Sequence, residues 1–321
     1  MAAFDPWFSA VASGLAFAGL ALAVYLTFRV LDFPDLTVDG SLGFGAAVSA
    51  VLINAGWNPW LTLGAAVAAG ALAGLTTGLL HTRLGINGLL ASILVSISMF
   101  TINLRVMNGS NVSVSGKGTV FYDADYQPGP VGRALATVNP DLARISVQAC
   151  IVLLVLTAII VAVAAWWLNS EQGIALRATG DNPRMIRALG VNTARMQMLG
   201  LTVANGLCGL SGALLAQYLG FSDITLGPGS ILTGLAAVIL GEALLHSGTV
   251  RAGLVGAVLG AVLFQVLLAV TQLQQTIRIE AQDYKLASAL IVLIALLIPS
   301  VRARLGLNRA ARAVAGKGGA A

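Results

Sequence analysis

Residues Leu84–Leu104 read LGINGLLASILVSISMFTINL and contain no charged side chain. An α-helix needs about 20 consecutive apolar residues to cross the hydrocarbon core of a bilayer, so this stretch predicts a membrane-spanning helix. Seven other uncharged runs flank it, and six of the eight runs are longer than about 20 residues. The others are Pro6–Phe28, Gly40–Thr82, Ile145–Ser170, Met196–Ser222, Ile224–Gly241, Ala252–Ile277 and Leu286–Val301.

The composition of the 321-residue chain agrees with this interpretation. Hydrophobic residues make up 57% of it and charged residues 10%, with a mean hydropathy of +0.88. A soluble globular chain carries about 25% charged residues, so an ordinary soluble enzyme and a disordered chain are both excluded. We therefore expect an all-α polytopic membrane protein with about 8–10 membrane segments. Its net charge of +5 does not indicate a nucleic-acid partner, because lysine and arginine in such a chain report topology.

Lysine and arginine residues are divided unevenly between the two sides of the predicted bundle. Nine alternating segments place 11 of them on one side and 6 on the other. Cytoplasmic loops carry the excess of positive charge, so the richer side, which includes the C-terminus, is predicted to be cytoplasmic. The segments are Ser9–Leu31, Leu42–Ala55, Trp60–Leu80, Leu84–Leu104, Ile145–Ser170, Met196–Gly220, Ser230–Leu245, Ala252–Val270 and Leu286–Ser300.

Two stretches form a weak internal repeat. Leu36–Leu52 reads LTVDGSLGFGAAVSAVL, and Ile224–Leu240 reads ITLGPGSILTGLAAVIL. Each has a threonine, a Gly/Ser elbow and a short alanine-rich helix, and the charge topology gives the two copies opposite orientations. Interrupted segments at matching positions of inverted halves indicate a transport site; the alternative is a pair of ordinary turns near the interface. The first pathway candidates are Asp39, Ser41, Pro228 and Ser230.

Polar side chains on the neighbouring helices extend this set. Ser92, Ser96 and Asn103 lie near one face of the predicted helix at helical spacing. Such groups are expected to face the bundle interior, where they either contact substrate or form hydrogen bonds between helices. The added pathway candidates are Asn87, Ser92, Ser96 and Asn205.

The predicted cytoplasmic stretch Glu171–Gln197 contains a short capped helix. Asp181 and Asn182 suit its N-cap, Pro183 its first turn and Gly190 its end. This pattern favours a docking element for another protein, and the alternative is a helix lying on the anionic leaflet. The candidate docking residues are Gly180, Asp181, Asn182, Pro183, Arg184, Arg187 and Gly190.

The sequence contains no catalytic or metal-ligating constellation and no G-x-x-x-x-G-K-[ST] loop, so we expect neither an enzyme nor a nucleotide-binding chain. A secondary transporter or facilitator would also show inverted repeats. It would more often carry an ionisable residue at the midplane, and Leu84–Leu104, Met196–Ser222 and Ala252–Ile277 have none. This favours an external energy source.

Specific motifs now point to a known family. The pattern G-x-A-x-R-A-x-G-D-N-P-x-x-x-R-x-x-G-V-N at 173–192, with GLCGLSGAL at Gly206–Leu214, resembles the permeases of ABC importers in the branched-chain amino acid and simple-sugar group. AAVILGEALLHSGTVRAGLVGAVLG at Ala236–Gly260 is similar to another block of that group, many of whose members have glycine in place of Glu242. The stretches Leu31–Ala47 and His81–Ala91 look closest to tryptophan/tyrosine-type importer permeases.

The resemblance implies a type II ABC importer transmembrane domain in a bacterial inner membrane. Two copies would enclose one pathway for a small polar solute, with an amino acid as the first candidate and an aromatic one as what the subgroup resemblance implies. Two cytoplasmic ATPases holding ATP and Mg²⁺ would bind the coupling segment, and an extracytoplasmic binding protein would deliver the substrate. The expected division is a first half at 9–104, an extracytoplasmic loop at 105–144, a second half at 145–305 with the coupling segment at 171–197, and a cytoplasmic tail at 306–321.

Overall fold

A computed structural model describes residues 5–114, 116–123, 145–245, 249–273 and 289–293. Eight helices in these ranges are long and apolar enough to cross a membrane, which agrees with the predicted class. The ninth predicted segment, Leu286–Ser300, lies largely outside the described residues, as do the 306–321 tail and residues 124–144 of the predicted outer loop.

Ten α-helices have bounds within the described residues, and eight of them lie in the candidate spans; residues 289–293 are helical as well. The ten helices are α1 Asp5–Val24, α2 Thr37–Asn54, α3 Pro59–Thr82, α4 Gly88–Met107, α5 Ile145–Leu168, α6 Glu171–Asp181, α7 Pro183–Ala188, α8 Thr193–Leu219, α9 Ser230–Leu244 and α10 Val250–Leu273. A π-helical segment, Tyr25–Val30, extends α1, and a 3₁₀ turn, Ile224–Leu226, precedes α9. The short strands β1 (Asn111–Ser113) and β2 (Phe221–Asp223) form an antiparallel pair with Asn111 opposite Asp223.

Asparagine side chains define the beginnings of several helices. The side-chain oxygens of Asn58, Asn87 and Asn192 accept hydrogen bonds from the backbone of the first turns of α3, α4 and α8. An N-cap of this type satisfies a backbone N–H group that has no partner within the helix. Asn87, a sequence-predicted pathway candidate, therefore has a capping role at the exposed beginning of α4.

Helix α8 lies at the centre of the described bundle and packs closely against α2 and α3. Glycines make this approach possible, because a Cβ at Gly70 would overlap the backbone oxygen of Asn205 and one at Gly45 would overlap Gly209. Small residues at such crossings let helix backbones approach within van der Waals contact. The crossing in turn sets the position of the polar residues in the middle of α8.

We expect Gly70→Ala to destabilise the bundle, because the added methyl group overlaps backbone that cannot rotate away. Overpacking of this kind typically costs about 1–3 kcal/mol. Gly64→Ala is the matched control in the same helix, since nothing lies within 4 Å of a Cβ there. Thermal melting of the purified protein in detergent should show a lowered Tm for the first variant and an unchanged or raised Tm for the second. Equal melting temperatures would contradict this account of the crossing.

Hydrogen bonds from side chains show the relative directions of the helices. Tyr218 Oη donates to the backbone oxygen of Ser9, and Ser211 Oγ donates to that of Ala16, so α1 and α8 are antiparallel. Ser41 bonds to Asn205, and Gln217, further along α8, bonds to Ser49, further along α2. Helices α2 and α8 are therefore parallel to each other.

Helix α9 runs in the same direction as α1, and this relation bears on the internal repeat. A Cβ at Gly234 would meet Val24, and Glu242, later in α9, pairs with Arg29, later in the α1 extension. Because α2 is antiparallel to α1, α2 and α9 run in opposite directions, as the charge topology predicts for the two copies.

The first predicted elbow, at Asp39, Gly40 and Ser41, is wrong, because these residues lie within α2. The chain turns earlier, where Asp32 has a φ of 51° and Pro34 interrupts helical hydrogen bonding. Asp35 Oδ1 then accepts a hydrogen bond from the Thr37 N–H and begins the helix. The second elbow does interrupt the helical structure, between β2 and α9.

Candidate functional site

The interruption before α9 brings irregular backbone into contact with the beginning of α2. A Cβ at Gly227 would meet the backbone oxygen of Asp39, and Gly229 has a φ of 88°, which favours glycine. Helix α9 has no side-chain cap on its own N-cap residue, Gly229. Irregular backbone at membrane depth requires partners within the protein, and here α2 supplies them.

Asp39 is that partner. Its carboxylate accepts hydrogen bonds from the N–H of Gly229 at 3.0 Å, the Oγ of Ser230 at 2.9 Å and the N–H of Ile231 at 2.7 Å. A carboxylate at this position satisfies free N–H groups and interacts favourably with the positive end of the helix dipole. The two copies of the repeat therefore meet at their helix beginnings, through residues about 190 positions apart in the sequence.

A cavity of about 280 Å³ lies beside this contact, between α2, α4 and the 224–228 segment. Asp39, Ser96, Thr101 and Asn103 contribute polar groups to its wall, and the apolar part includes Ile97, Phe100 and Pro228. Mixed walls of this type suit a small amphipathic molecule.

The site lies near half depth of the bundle. Asn205, the thirteenth of the 27 residues of α8, bonds to Ser41, which is two residues after Asp39 in α2. Transporters commonly bind substrate at this depth, beside helices that begin within the membrane.

The eight sequence-predicted pathway residues fall into two groups in the structure. Asp39, Ser96 and Pro228 line the cavity, and Ser230 bonds to Asp39. The other four lie outside the lining: Asn87 caps α4, Ser92 is buried and bonds to Leu89, and Ser41 and Asn205 bond to each other. Sequence analysis placed Asn103 on the Ser92–Ser96 face of α4, and the structure adds it to the cavity wall.

Ser41 and Asn205 belong to a buried polar cluster with Asp35. Asn205 Nδ2 donates to Asp35 Oδ2 at 2.7 Å, and Ser41 Oγ donates to Asn205 Oδ1 at 2.7 Å. All three residues are 0% exposed. Burial raises the pKa of Asp35, in the connection between two spans, while hydrogen bonds from Thr37 and Asn205 act against that rise. The cluster joins α8 to α2 and to the turn before it.

The predicted docking segment consists of two helices, α6 and α7, where the sequence indicated one. Asn182 Oδ1 accepts from the Met185 N–H at 3.0 Å and caps α7, and Gly190 has a φ of 88° just after its end. Met185 is 52% exposed and Leu189 is 71% exposed, next to the exposed Arg184. The segment thus presents a mixed apolar and basic surface.

The same segment contacts the end of the first span. A Cβ at Gly180 would overlap the backbone oxygen of Val30 and approach Leu31. One residue before the end of the span, Arg29 pairs with Glu242 of α9. Glu242, where many of the similar permeases have glycine, therefore has a partner within the chain. Both side chains are more than a third exposed, so we expect the pair to contribute about 0–1 kcal/mol.

Candidate membrane spans of opposite direction, with an interrupted segment beside a cavity, are the arrangement in which transporters bind their substrates. Residues 8–298 match the family described as branched-chain amino acid transport system / permease component. The chain belongs to this family and is the permease of an ATP-driven solute importer, which confirms the resemblance found in the sequence.

Three relatives illustrate the range of the family. A tyrosine transport system permease protein of Clostridioides difficile (strain R20291) is 33% identical over 285 residues, 89% of this chain and 88% of that protein. The ribose import permease protein RbsC of Escherichia coli K12 is 25% identical, over 75% of this chain and 70% of that protein. The autoinducer 2 import permease LsrC of Yersinia pseudotuberculosis (strain IP 31758) is 29% identical, over 71% and 59%. No solved structure matches the chain significantly.

Proposed function

We propose that two copies of this chain enclose one pathway for an amino acid in the bacterial cytoplasmic membrane. Two ATPase subunits, which hold ATP and Mg²⁺, dock on the cytoplasmic segment 171–197, and an extracytoplasmic binding protein delivers the substrate. The chain itself catalyses no reaction, and its C-terminus is cytoplasmic. The observation that carries this proposal is the cavity at half depth beside the Asp39 cap of α9.

The position of the cavity supports a second copy. Ile97 is 67% exposed and Phe100 42% exposed, so the cavity opens on a side of α4 that the described chain leaves uncovered. A carboxylate facing hydrocarbon at the centre of a span costs about 2.5–3.5 kcal/mol on insertion scales. Covering this face with another copy around a hydrated pathway avoids placing Asp39 next to lipid.

The chemistry of the cavity supports an amino acid with an apolar side chain. Ile97, Phe100 and Pro228 supply an apolar wall, while Asp39 and Asn103 supply polar atoms. The relative with 33% identity over 89% of this chain bears the name of a tyrosine transport permease. An aromatic amino acid is therefore the first substrate to test.

The docking segment supports the proposal that separate ATPase subunits drive transport. Helix α7 is held in shape by Asn182, and Arg187 bonds to Thr193 of α8 through its Nη2 at 3.0 Å. The exposed Met185 and Leu189 give a partner an apolar patch to cover. A force on α7 would be transmitted to α8 through Thr193, and through the adjoining α6 to the end of α1, which Gly180 contacts.

Thiol labelling of the complex with its ATPase tests the pathway. A Ser96→Cys variant should react with a small aqueous thiol reagent, and the rate should change at least about fivefold between the nucleotide-free and ATP-trapped states, since a pathway alternates its access. The variant is made in a chain that carries Cys150→Ala, so that the introduced thiol is the reactive one. The other native cysteine, Cys208, is fully buried.

Ser98→Cys is the matched control on the same helix. Ser98 lies about 200° around the helix from Ser96, is exposed, and is not part of the cavity wall. It should face lipid and react slowly in both states. A Ser96→Cys thiol that resists the reagent in every state would contradict the pathway, and so would purification of an active transporter without any ATPase.

A further inference from the structure

Helix α9 is held near both of its ends by charged side chains of other helices. Its beginning accepts the Asp39 carboxylate of α2 as a cap, at the wall of the cavity. Its last turn carries Glu242, which pairs with Arg29 of the π-helical extension of α1. The helix has 15 residues and is therefore about 22 Å long. It connects the cavity with the end of the first span.

That end of the first span is packed against the docking segment. A Cβ at Gly180 of α6 would overlap the backbone oxygen of Val30, the residue after Arg29. The side chains of Leu31 and Leu176 are both buried and both lie against α8. Close-packed groups of this kind transmit a displacement to their neighbours. A shift of α6 therefore moves the backbone next to Arg29.

The ion pair is a main contact between the α1 extension and the last turn of α9. Few backbone contacts join these two segments among the described residues. A cavity of about 350 Å³ lies beside the pair, and Tyr25, Thr249 and Gly253 contribute to its wall. Arg29 also belongs to a π-helical turn, a geometry that is rare and frequently lies at functional sites.

We infer that the Arg29–Glu242 pair transmits the movement of the docking segment to α9, and so to the wall of the cavity. Arg29 follows α6 through the packed backbone at Val30, and its guanidinium holds the last turn of α9. Asp39 holds the other end of the same helix. Arg29 and Glu242 are positioning residues, because they act through α9 and not on the solute. This inference rests on the proposed function and goes beyond it by naming the side chains that link the docking segment to the pathway.

State-dependent labelling of Ser96→Cys in the permease–ATPase complex tests the inference, and it requires no known substrate. The measured quantity is the ratio of the labelling rates by a methanethiosulfonate reagent in the ATP-trapped and nucleotide-free states. Arg29→Gln and Glu242→Gln should each reduce this ratio from about fivefold to about twofold, because a half-exposed ion pair changes an equilibrium by at most about fivefold. ATP hydrolysis should continue, since the nucleotide sites are on the other subunits.

Two double variants show whether the residues act as a pair. Arg29→Glu combined with Glu242→Arg exchanges the charges and should restore most of the ratio. Glutamine at both positions should give the same ratio as either single variant, because the pair is broken only once. The Tm of each variant in detergent should stay close to that of the parent chain, since both side chains are more than a third exposed.

Arg83→Gln is the matched control. Arg83 follows α3 on the same side of the bundle, where His81 packs against Phe33 near the end of the first span. It is exposed and has no acidic partner among the described residues. This variant removes the same charge without breaking a pair, and it should keep the parent ratio.

The outcomes separate this inference from the pathway. Parent ratios in both single variants would overturn the role of the pair and leave the pathway standing. The same conclusion would follow if the exchanged pair restored nothing, or if glutamine at both positions lowered the ratio below that of either single variant, because the two side chains would then act separately. Equal labelling of Ser96→Cys in both states of the parent chain would overturn the pathway and this link together.

Discussion

Asn205→Leu should leave the permease poorly folded, with a loss of about 3 kcal/mol or more in stability. Leucine keeps the branched shape of asparagine but removes the Nδ2 donor to Asp35 and the Oδ1 acceptor of Ser41. Asp35 is 0% exposed, so no water replaces the lost donor without opening the bundle. Removing one partner of a buried charged group is among the most destabilising single changes. Thermal melting in detergent and the yield of monodisperse protein measure the stability lost in Asn205→Leu.

The pH dependence identifies the cause. Asp35 has a raised pKa in the folded chain, so it binds more protons when folded than when unfolded, and stability falls as the pH rises through that range. Loss of the Asn205 donor raises the folded pKa further. The Tm deficit of Asn205→Leu should therefore be smaller at pH 5 than at pH 8.

Two further variants test the same cluster. Ser41→Ala removes one neutral hydrogen bond and should cost about 1–3 kcal/mol, less than Asn205→Leu. Asp35→Asn in the Asn205→Leu background should recover part of the Tm, because it removes the uncompensated charge. A deficit that is independent of pH and is not relieved by Asp35→Asn would show that packing, and not the carboxylate, causes the loss.

Features with a local signal could be predicted from the sequence. Hydropathy predicted the eight described spans, and charge predicted the opposite directions of α2 and α9. Asn182, Pro183 and Gly190 predicted the capped helix α7. Each of these depends on residues within a few turns of one another. The break before α9 was predicted for the same reason, because Gly227 and Gly229 flank a proline.

Features that depend on distant contacts could not be predicted. The pairing of Asp39 with the beginning of α9 joins residues about 190 positions apart, and no periodicity encodes it. The sequence analysis placed Asp39 in an elbow, whereas it lies within α2 and its carboxylate caps the beginning of α9. The β1–β2 pair was missed because three-residue strands are too short for an alternating pattern.

The largest functional effect is expected from the end of α7. Gly190 has a φ of 88°, and valine at that position would force a β-branched residue into a left-handed conformation at a cost of about 1–3 kcal/mol. The short helix relieves this strain by unwinding, which displaces the exposed Met185 and Leu189. If these residues are the ATPase contact, Gly190→Val should reduce uptake at least about tenfold, equivalent to 1.4 kcal/mol or more in coupling. ATP hydrolysis by the complex should continue, because the nucleotide sites are on the other subunits.

Two controls separate coupling from strain. Gly190→Asn should retain most of the uptake, since asparagine tolerates the left-handed region. Gly85→Val introduces comparable strain at a φ of 70° in the connection between α3 and α4, where nothing lies within 4 Å of a Cβ. It should transport nearly normally.

Cross-linking locates the contact itself. Cysteines placed singly through 180–190 should form cross-links to the ATPase subunit, most efficiently at Met185 and Leu189, because these side chains are the exposed apolar ones. Asn182→Leu should weaken these cross-links along with uptake, since it removes the cap that holds α7 together. A scan that finds no ATPase cross-links would contradict the docking proposal, and so would a Gly190→Val transporter that still couples hydrolysis to uptake. The segment would then be assigned to the lipid surface, which a helix with apolar and basic side chains also binds.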